Sequence, residues 1–283
     1  MFPKALLPLC ALMALASCQN VSIEDIATKM PKGNLTVSIS QIEQDPFLPY
    51  TRTGLADACS RLNFAVYNLA DSRLMLVNQQ YGVSAFGSTS FQLDEGKYQL
   101  VIVAHSSNGN PTMTNPTKIQ FTNAQGFSDT FLCYEDVTMG EEPKTLDLVL
   151  SRIVSLCRFT VTDDYPEEAA RIRFYYTGGS GAFNARTGLG CVNSKQEKTF
   201  DLTSGQKQFD LYTFLHNVES TIHLKMTVYD QGDNVLRERV FDVPMKQKYI
   251  TWLSYNYSSG DLEKEGITIT LNTAWDGEDY ITF

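Results

Sequence analysis

From Leu35 onward, apolar and polar residues alternate with a period of two, the spacing of a strand with one buried face. Leu35, Val37 and Ile39 alternate with Thr36, Ser38 and Ser40. Leu62, Phe64 and Val66 mark a strand over 62–69, and Asp71-Ser72 turns it into a partner over 73–79. Phe91 and Leu93 precede a turn at Asp94-Glu95-Gly96; Tyr98, Leu100, Ile102 and Ala104 follow on one face. Val101 and Val103 make the opposite face apolar too, which predicts a central strand. Shorter strands are expected at 118–121, 130–138 and 145–150.

The second half repeats the pattern at 153–162, 171–177, 198–202, 208–214, 221–229, 235–241, 249–257 and 266–272. Ile222, Leu224, Met226 and Val228 alternate strictly with polar neighbours, and "DQGDN" at 230–234 turns that strand into a hairpin. No apolar stripe of helical period exceeds about two turns. The fold class is therefore all-β, built as two β-sandwiches in tandem. "TLDLVL" closes one set of strands and "IVSLCRFTV" opens another, so the boundary falls near Arg152: one sandwich over 34–151, a second over 152–283.

The first residues break the pattern. Lys4 is followed by an apolar run from Ala5 to Leu15, the signature of an export signal. Leu15-Ala16-Ser17-Cys18 has the form of a bacterial lipobox, an aliphatic residue and two small ones before the cysteine that is acylated. Residues 1–17 then form a lipoprotein signal peptide and 18–33 a polar tether. Lipid on Cys18 would hold the chain to a membrane, stably if two or more acyl chains are attached. The formal charge of −9 argues against nucleic acid as partner. No later apolar run approaches the ~18 residues of a spanning helix.

Candidate chemistry is sparse. His105, His216 and His223 stand in no metal-spaced pair, and His105, ending a strand, is expected on the surface or as a cap. No G-x-S-x-G, H-E-x-x-H or P-loop occurs, so no enzyme class, metal or cofactor is indicated. "TGGSGAFNARTGLG" lacks the following helix a phosphate cradle needs and is expected to be a crossover loop between strands. Asp230, Asp233 and Asn234 are oxygen ligands without EF-hand spacing, in a turn that favours them anyway. Cys59, Cys133, Cys157 and Cys191 form no C-x-x-C pair; they permit three complete disulfide pairings, and buried free thiols are the reading preferred. Tyr249, Tyr255 and Tyr257 would share one strand face with Trp252 on the other. Such a face could stack sugars, which makes a surface glycan-binding lipoprotein the alternative function; with two Trp in the chain, sheet packing is the reading preferred.

"CSRLNFAVYN" (59–68), "LDEGKYQLVIVAHSSNGN" (93–110), "FYYTGGSGAFNARTGLGCVNS" (174–194) and "TAWDG" (273–277), behind a lipobox, resemble the fimbrial anchor and minor-subunit lipoproteins of the Bacteroidales, the fimbrillin-associated proteins of pili assembled by strand exchange. The resemblance implies transthyretin-like sandwiches, attachment to the outer membrane through Cys18, a place in or beneath a fimbrium, and other fimbrial subunits as partners by β-strand addition. It also implies a cut after a basic residue that removes the first strand in polymerising subunits. Lys32 and Arg52 flank the strand at 34–42, so both are candidate processing positions. The tail from Gly266, with Ile267, Ile269 and Leu271 in alternation, is either a donor strand or the last strand of its own domain.

Overall fold

The computed structural model describes residues 33–43, 54–258 and 267–272. The first half contains β1 (Leu35–Ile42), one helical turn α1 (Leu55–Ala58), β2 (Arg61–Tyr67), β3 (Arg73–Gln80), β4 (Ser88–Phe91), β5 (Gly96–His105), β6 (Thr112–Asn115), β7 (Lys118–Gln120), β8 (Thr130–Met139) and β9 (Lys144–Arg152). The second contains β10 (Ser155–Val161), β11 (Arg171–Thr177), β12 (Ala182–Phe183), β13 (Gln196–Asp201), β14 (Gln208–Thr213), β15 (Glu219–Tyr229), β16 (Val235–Lys246), β17 (Ile250–Tyr255) and β18 (Ile267–Asn272). Among the described residues the protein is all-β apart from α1, as the period of two predicts.

Seven strands of the first half run in the order β3-β2-β5-β8-β9-β1-β4. The link between β8 and β9 is only two pairs, Phe131 with Arg152 and Leu132 with Ser151. The sheet folds over there, so that Phe64, Ile102 and Phe131 on one side and Leu35, Val37, Phe91 and Leu150 on the other fill a single core. β5 is central, paired with β2 and β8, and Val101 and Val103 are as buried as Leu100 and Ile102. The turn Asp94–Gly96 joins strands of opposite sides of this core, because β4 pairs with β1 and not with β5.

The second half has two four-stranded sheets, β14-β10-β17-β18 and β13-β11-β15-β16, around a core rich in rings. Phe159 lies 5.0 Å from Phe174 and 5.6 Å from Phe241, centroid to centroid, within the range of favourable aromatic pairs. β16 runs on to Lys246, past the expected end at Phe241, because Val243 and Met245 continue the inward alternation. β2 stops at Tyr67, earlier than the pattern suggested, because the Asn68 side chain accepts bonds from the Ala70 and Ser72 amides and starts the turn.

The glycine-rich segment is not a crossover. β11 and β13 are antiparallel neighbours, and the chain between them makes a long excursion and returns. Within it β12 pairs with β7 of the first half, forming a three-stranded sheet β12-β7-β6. A third core is shared by both halves: Tyr67, Val103, Ile119 and Phe121 pack with Phe183 and Phe214. Neither β6 nor β12 stands out in the sequence, since each is too short to show a period. Gly178 adopts φ +87°, and a side chain there would meet the Thr221 carbonyl, so the excursion needs glycine at its start.

Candidate functional site

The first strand in sequence lies inside its sheet. β1 runs parallel to β9 and antiparallel to β4, with Leu35 and Val37 fully buried. The Lys144 amide donates to the Asn34 carbonyl (2.8 Å) at one end, and the Glu43 amide to the Leu150 carbonyl (2.7 Å) at the other. The Asn34 side chain donates to the Leu93 carbonyl (2.6 Å) and accepts from the Leu93 amide (2.9 Å), replacing a backbone pair where the ladder ends. Gly33 presses on Phe91 so closely that a Cβ would lie inside its backbone. Burying a Leu, Val or Ile side chain is worth about 2 kcal/mol, so β1 contributes on the order of 5 kcal/mol before ordering entropy is subtracted.

Cys18, Lys32 and Arg52, the expected lipid and processing positions, lie outside the described residues. Gly33 and Gly54, which are described, follow closely on the two basic positions. Of the tail, residues 267–272 are described and the rest lies outside the described residues: β18 pairs antiparallel with β17 of its own half, Ile250 opposite Asn272 and Tyr255 opposite Ile267.

Sequence reasoning missed the socket that joins the two halves. Arg186, at the tip of the glycine-rich excursion, reaches the outer face of the first half. Its guanidinium pairs with Asp71 and donates to the Gln99 side-chain oxygen (2.7 Å). Tyr134 donates to the same oxygen (2.8 Å), and the Gln99 amide donates to the Asn68 carbonyl (2.9 Å). The Gln99 amide also donates to the Asp71 carboxylate (3.0 Å), and this bond first, then the Arg186 pair, holds the Asp71 carboxyl below the usual range. A lone arginine among small residues was the only available signal.

The remaining candidates fall into structural places. His105 is fully buried rather than on the surface. Its Nε2 meets the Asn63 side-chain oxygen at 2.9 Å, its Nδ1 accepts the Ser107 amide (3.1 Å), and its ring packs edge-on to Phe121. The capping role therefore exists, and burial pushes the imidazole pKa down to about 4. His223 pairs with Asp242 (2.6 Å) on the surface, and His216 meets the Gly190 carbonyl (3.1 Å). Tyr255 and Tyr257 are turned into the core, 6.5 Å apart edge to face, so they offer no stacking platform. Trp252 lies on the outer face beneath the Arg158 guanidinium (5.1 Å), which Asp210 grips with two bonds. Asp230 spends its carboxylate on the turn itself, accepting the Gly232 and Asn234 amides at 2.8 Å each.

All four cysteines described are free thiols. Cys59 and Cys157 are buried and pushed up to about 12 by burial, while Cys133 is half-buried and Cys191 exposed. Among the described residues no three His, Cys, Asp or Glu side chains gather as metal ligands.

An adhesin candidate from Bacteroides ovatus superposes with TM-score 0.50 at 14% identity, over 82% of this chain and 88% of its own. A candidate polysaccharide-binding protein from Bacteroides thetaiotaomicron superposes with TM-score 0.50 at 9% identity, over 88% and 97%. The tip fimbrial protein Mfa3 of Porphyromonas gingivalis aligns over 84% and 97% at 11% identity, with TM-score 0.40. At these identities the first two establish a shared fold. No curated protein matches the chain. The model of the fimbrillin-A associated anchor proteins Mfa1 and Mfa2 matches residues 31–278, nearly the whole sequence, and the chain belongs to that family.

Proposed function

We propose that the protein is an outer-membrane lipoprotein, built as two sandwiches over 34–151 and 152–283, that anchors a fimbrium through lipid on Cys18. The reading rests on one observation above all. β1, the strand nearest the lipid, is buried between β9 and β4 of its own sheet. A strand with neighbours on both sides supplies two ladders of bonds and two rows of core contacts, and a neighbour's strand in the same slot would do the same.

The two basic positions differ in consequence. A cut after Lys32 severs the lipid and leaves β1 in place. A cut after Arg52 breaks the covalent path from β1 to the rest of its sheet and leaves it held by non-covalent contacts alone. An anchor avoids both. The chain then meets its partners, other fimbrial subunits, by strand addition at the end away from the membrane, and it has no catalytic task.

Replacing Cys18 by Ala in the native host tests the anchor role. Fimbriae carrying this subunit are expected to shift from the cell fraction to the medium. Fimbriae that stay cell-bound, with the variant protein present in them, would count against anchoring by this chain.

A further inference from the structure

A sheet edge exposes unpaired amides and carbonyls, and proteins block such edges with side chains, charges or proline. The outer strands β14, β13, β16 and β4 are blocked in this way. On β14, the bond from the Val161 amide to the Lys207 carbonyl sets the phase, so the carbonyls of Gln208, Asp210 and Tyr212 face away from β10. Each is taken by a side chain: Gln206 (2.7 Å), Lys198 (3.4 Å) and Gln196 (3.2 Å) in turn. On β13, the Glu197 amide donates to the Asn123 side chain (3.2 Å). On β16, Pro244 lacks an amide hydrogen, and Arg237 and Arg239 stand opposite the core residues Val228 and Met226, as inward charges on an edge. β4 has only 4 residues, and Gln79 donates to its Ser88 carbonyl (2.7 Å).

β3, the outer strand beside β2, has 8 residues and is left open. The Tyr81 amide donates to the Ser60 carbonyl (2.8 Å). Stepping by two from that bond, Met75, Val77 and Gln79 bond to β2, and the backbone groups of Leu76, Asn78 and Gln80 point outward. The Val83 amide takes the Gln80 carbonyl (3.3 Å). Among the described residues nothing bonds to the outward amides and carbonyls of Leu76 and Asn78. From Leu74 to Gln80 the strand, LMLVNQQ, holds no charge and no proline. Exposed apolar surface marks the same edge. Of the 8 exposed large apolar side chains among the described residues, Leu69, Leu74, Tyr81 and Val83 all lie in β3 or just beyond its ends.

We propose that this edge pairs with the same edge of a second copy of the chain, antiparallel about a two-fold axis at Val77. Such an interface is isologous, so the strand must complement itself. With the axis at Val77, Leu76 of each copy bonds with Asn78 of the other, and each pair exchanges two backbone bonds. The groups left open on β3 are thereby satisfied. The strand's one charge, Arg73, falls opposite Tyr81 of the other copy, whose exposed ring is a favourable neighbour for a guanidinium. Leu69 and Leu74 of one copy approach Tyr81 and Val83 of the other, so the exposed apolar residues cover one another. Neighbouring registers fit worse. An axis at Asn78 would set Leu76 against Gln80, whose carbonyl is taken, and an axis at Leu76 would set Asn78 against Leu74, the extra residue of a bulge. The pairing stands on the first sheet alone and does not depend on the anchor role.

The test is a cross-link between full chains in which the exposed Cys191 is replaced by Ser. Val77 would meet its own copy as a non-bonded pair, where Cα atoms approach to about 4.5 Å, within disulfide range. Val77→Cys should form a covalent dimer roughly tenfold faster than Met75→Cys, whose two copies lie several residues apart along the ladder. Leu76→Pro removes an outward amide and leaves the bonds to β2 in place, so adding it should slow the Val77→Cys cross-link roughly tenfold. No cross-link, equal rates for Val77→Cys and Met75→Cys, or a rate that Leu76→Pro leaves unchanged would overturn the proposal. Should the variants misfold, amide exchange in the unsubstituted chain decides. The Leu76 and Asn78 amides should exchange several-fold more slowly at high than at low protein concentration, with Val77 protected at both. Exchange at Leu76 and Asn78 that ignores concentration overturns the proposal, whether fast, as on a bare edge, or slow, as on an edge covered by something else.

Discussion

The first and last described strands share one pattern, apolar at every second residue, yet the fold uses them oppositely. β1 enters between two strands and buries Leu35 and Val37 completely. β18 joins at an edge and, among the described strands, pairs with β17 alone. Alternation reports which face of a strand is apolar and nothing about how many neighbours it has. Position in the sheet is decided by long-range pairing, here between residues 35–42 and 144–150, far apart in sequence. The difference bears on assembly. A strand held on both sides leaves a slot when removed, whereas a strand held on one side leaves only a new edge.

The largest effect should separate the two strands outright. Val37→Asp places a carboxylate in a fully buried site with no partner, at a cost of several kcal/mol. The first half is expected to lose its cooperative melting transition. Truncation after Tyr257, which removes β18, should lower the melting temperature by only several degrees. Equal losses measured by calorimetry would erase the contrast.

A second test weakens the first half alone. His105 is buried neutral with a pKa lowered to about 4, against an ordinary value of 6.5. The unfolded chain therefore binds its proton first as pH falls. The stability contributed by keeping the ring neutral is complete above pH 6.5 and is lost progressively between 6.5 and 4. The full shift corresponds to about 3 kcal/mol. Denaturant titrations at pH 7 and pH 4.5 should show this loss, and His105→Gln should flatten it.

Gly33→Ala should cost about 1–3 kcal/mol, because the added Cβ meets the Phe91 backbone and pushes the entry of β1 off β4. The smallest effect belongs to Arg186→Ala. The pair with Asp71 is partly exposed, so solvent screens it, and a loss of about 1 kcal/mol is expected, smaller still at high salt. Its clearer signature is coupling: the third core should hold the halves together less firmly, and their melting transitions should separate by a few degrees. One unchanged transition would show that Phe183 and Phe214 carry the coupling without it.

Most strands were legible in the sequence because each exposes one face and buries the other. Their partners were not. The turn at Asp94–Gly96 was legible as a turn, but not that it crosses the core, since β4 serves β1. The glycine-rich segment looked like a crossover because glycine signals conformational freedom without saying where the chain goes. His105 looked exposed at a strand end, yet the Asn63 side chain and the Ser107 amide satisfy it inside. Sheet packing is the preferred reading of the tyrosines near Trp252, and Tyr255 and Tyr257 do enter the core, but period two cannot tell which face is inward.

The central claim is that β1 stays in its own sheet and Cys18 stays attached to it. Mass spectrometry of the mature N-terminus, on protein taken from the native host, tests both at once. The account expects an acylated Cys18 and an intact chain through Arg52. A mature chain beginning at Gly33 would show the lipid lost, one beginning at Thr53 would show β1 severed as well, and either would contradict an anchor.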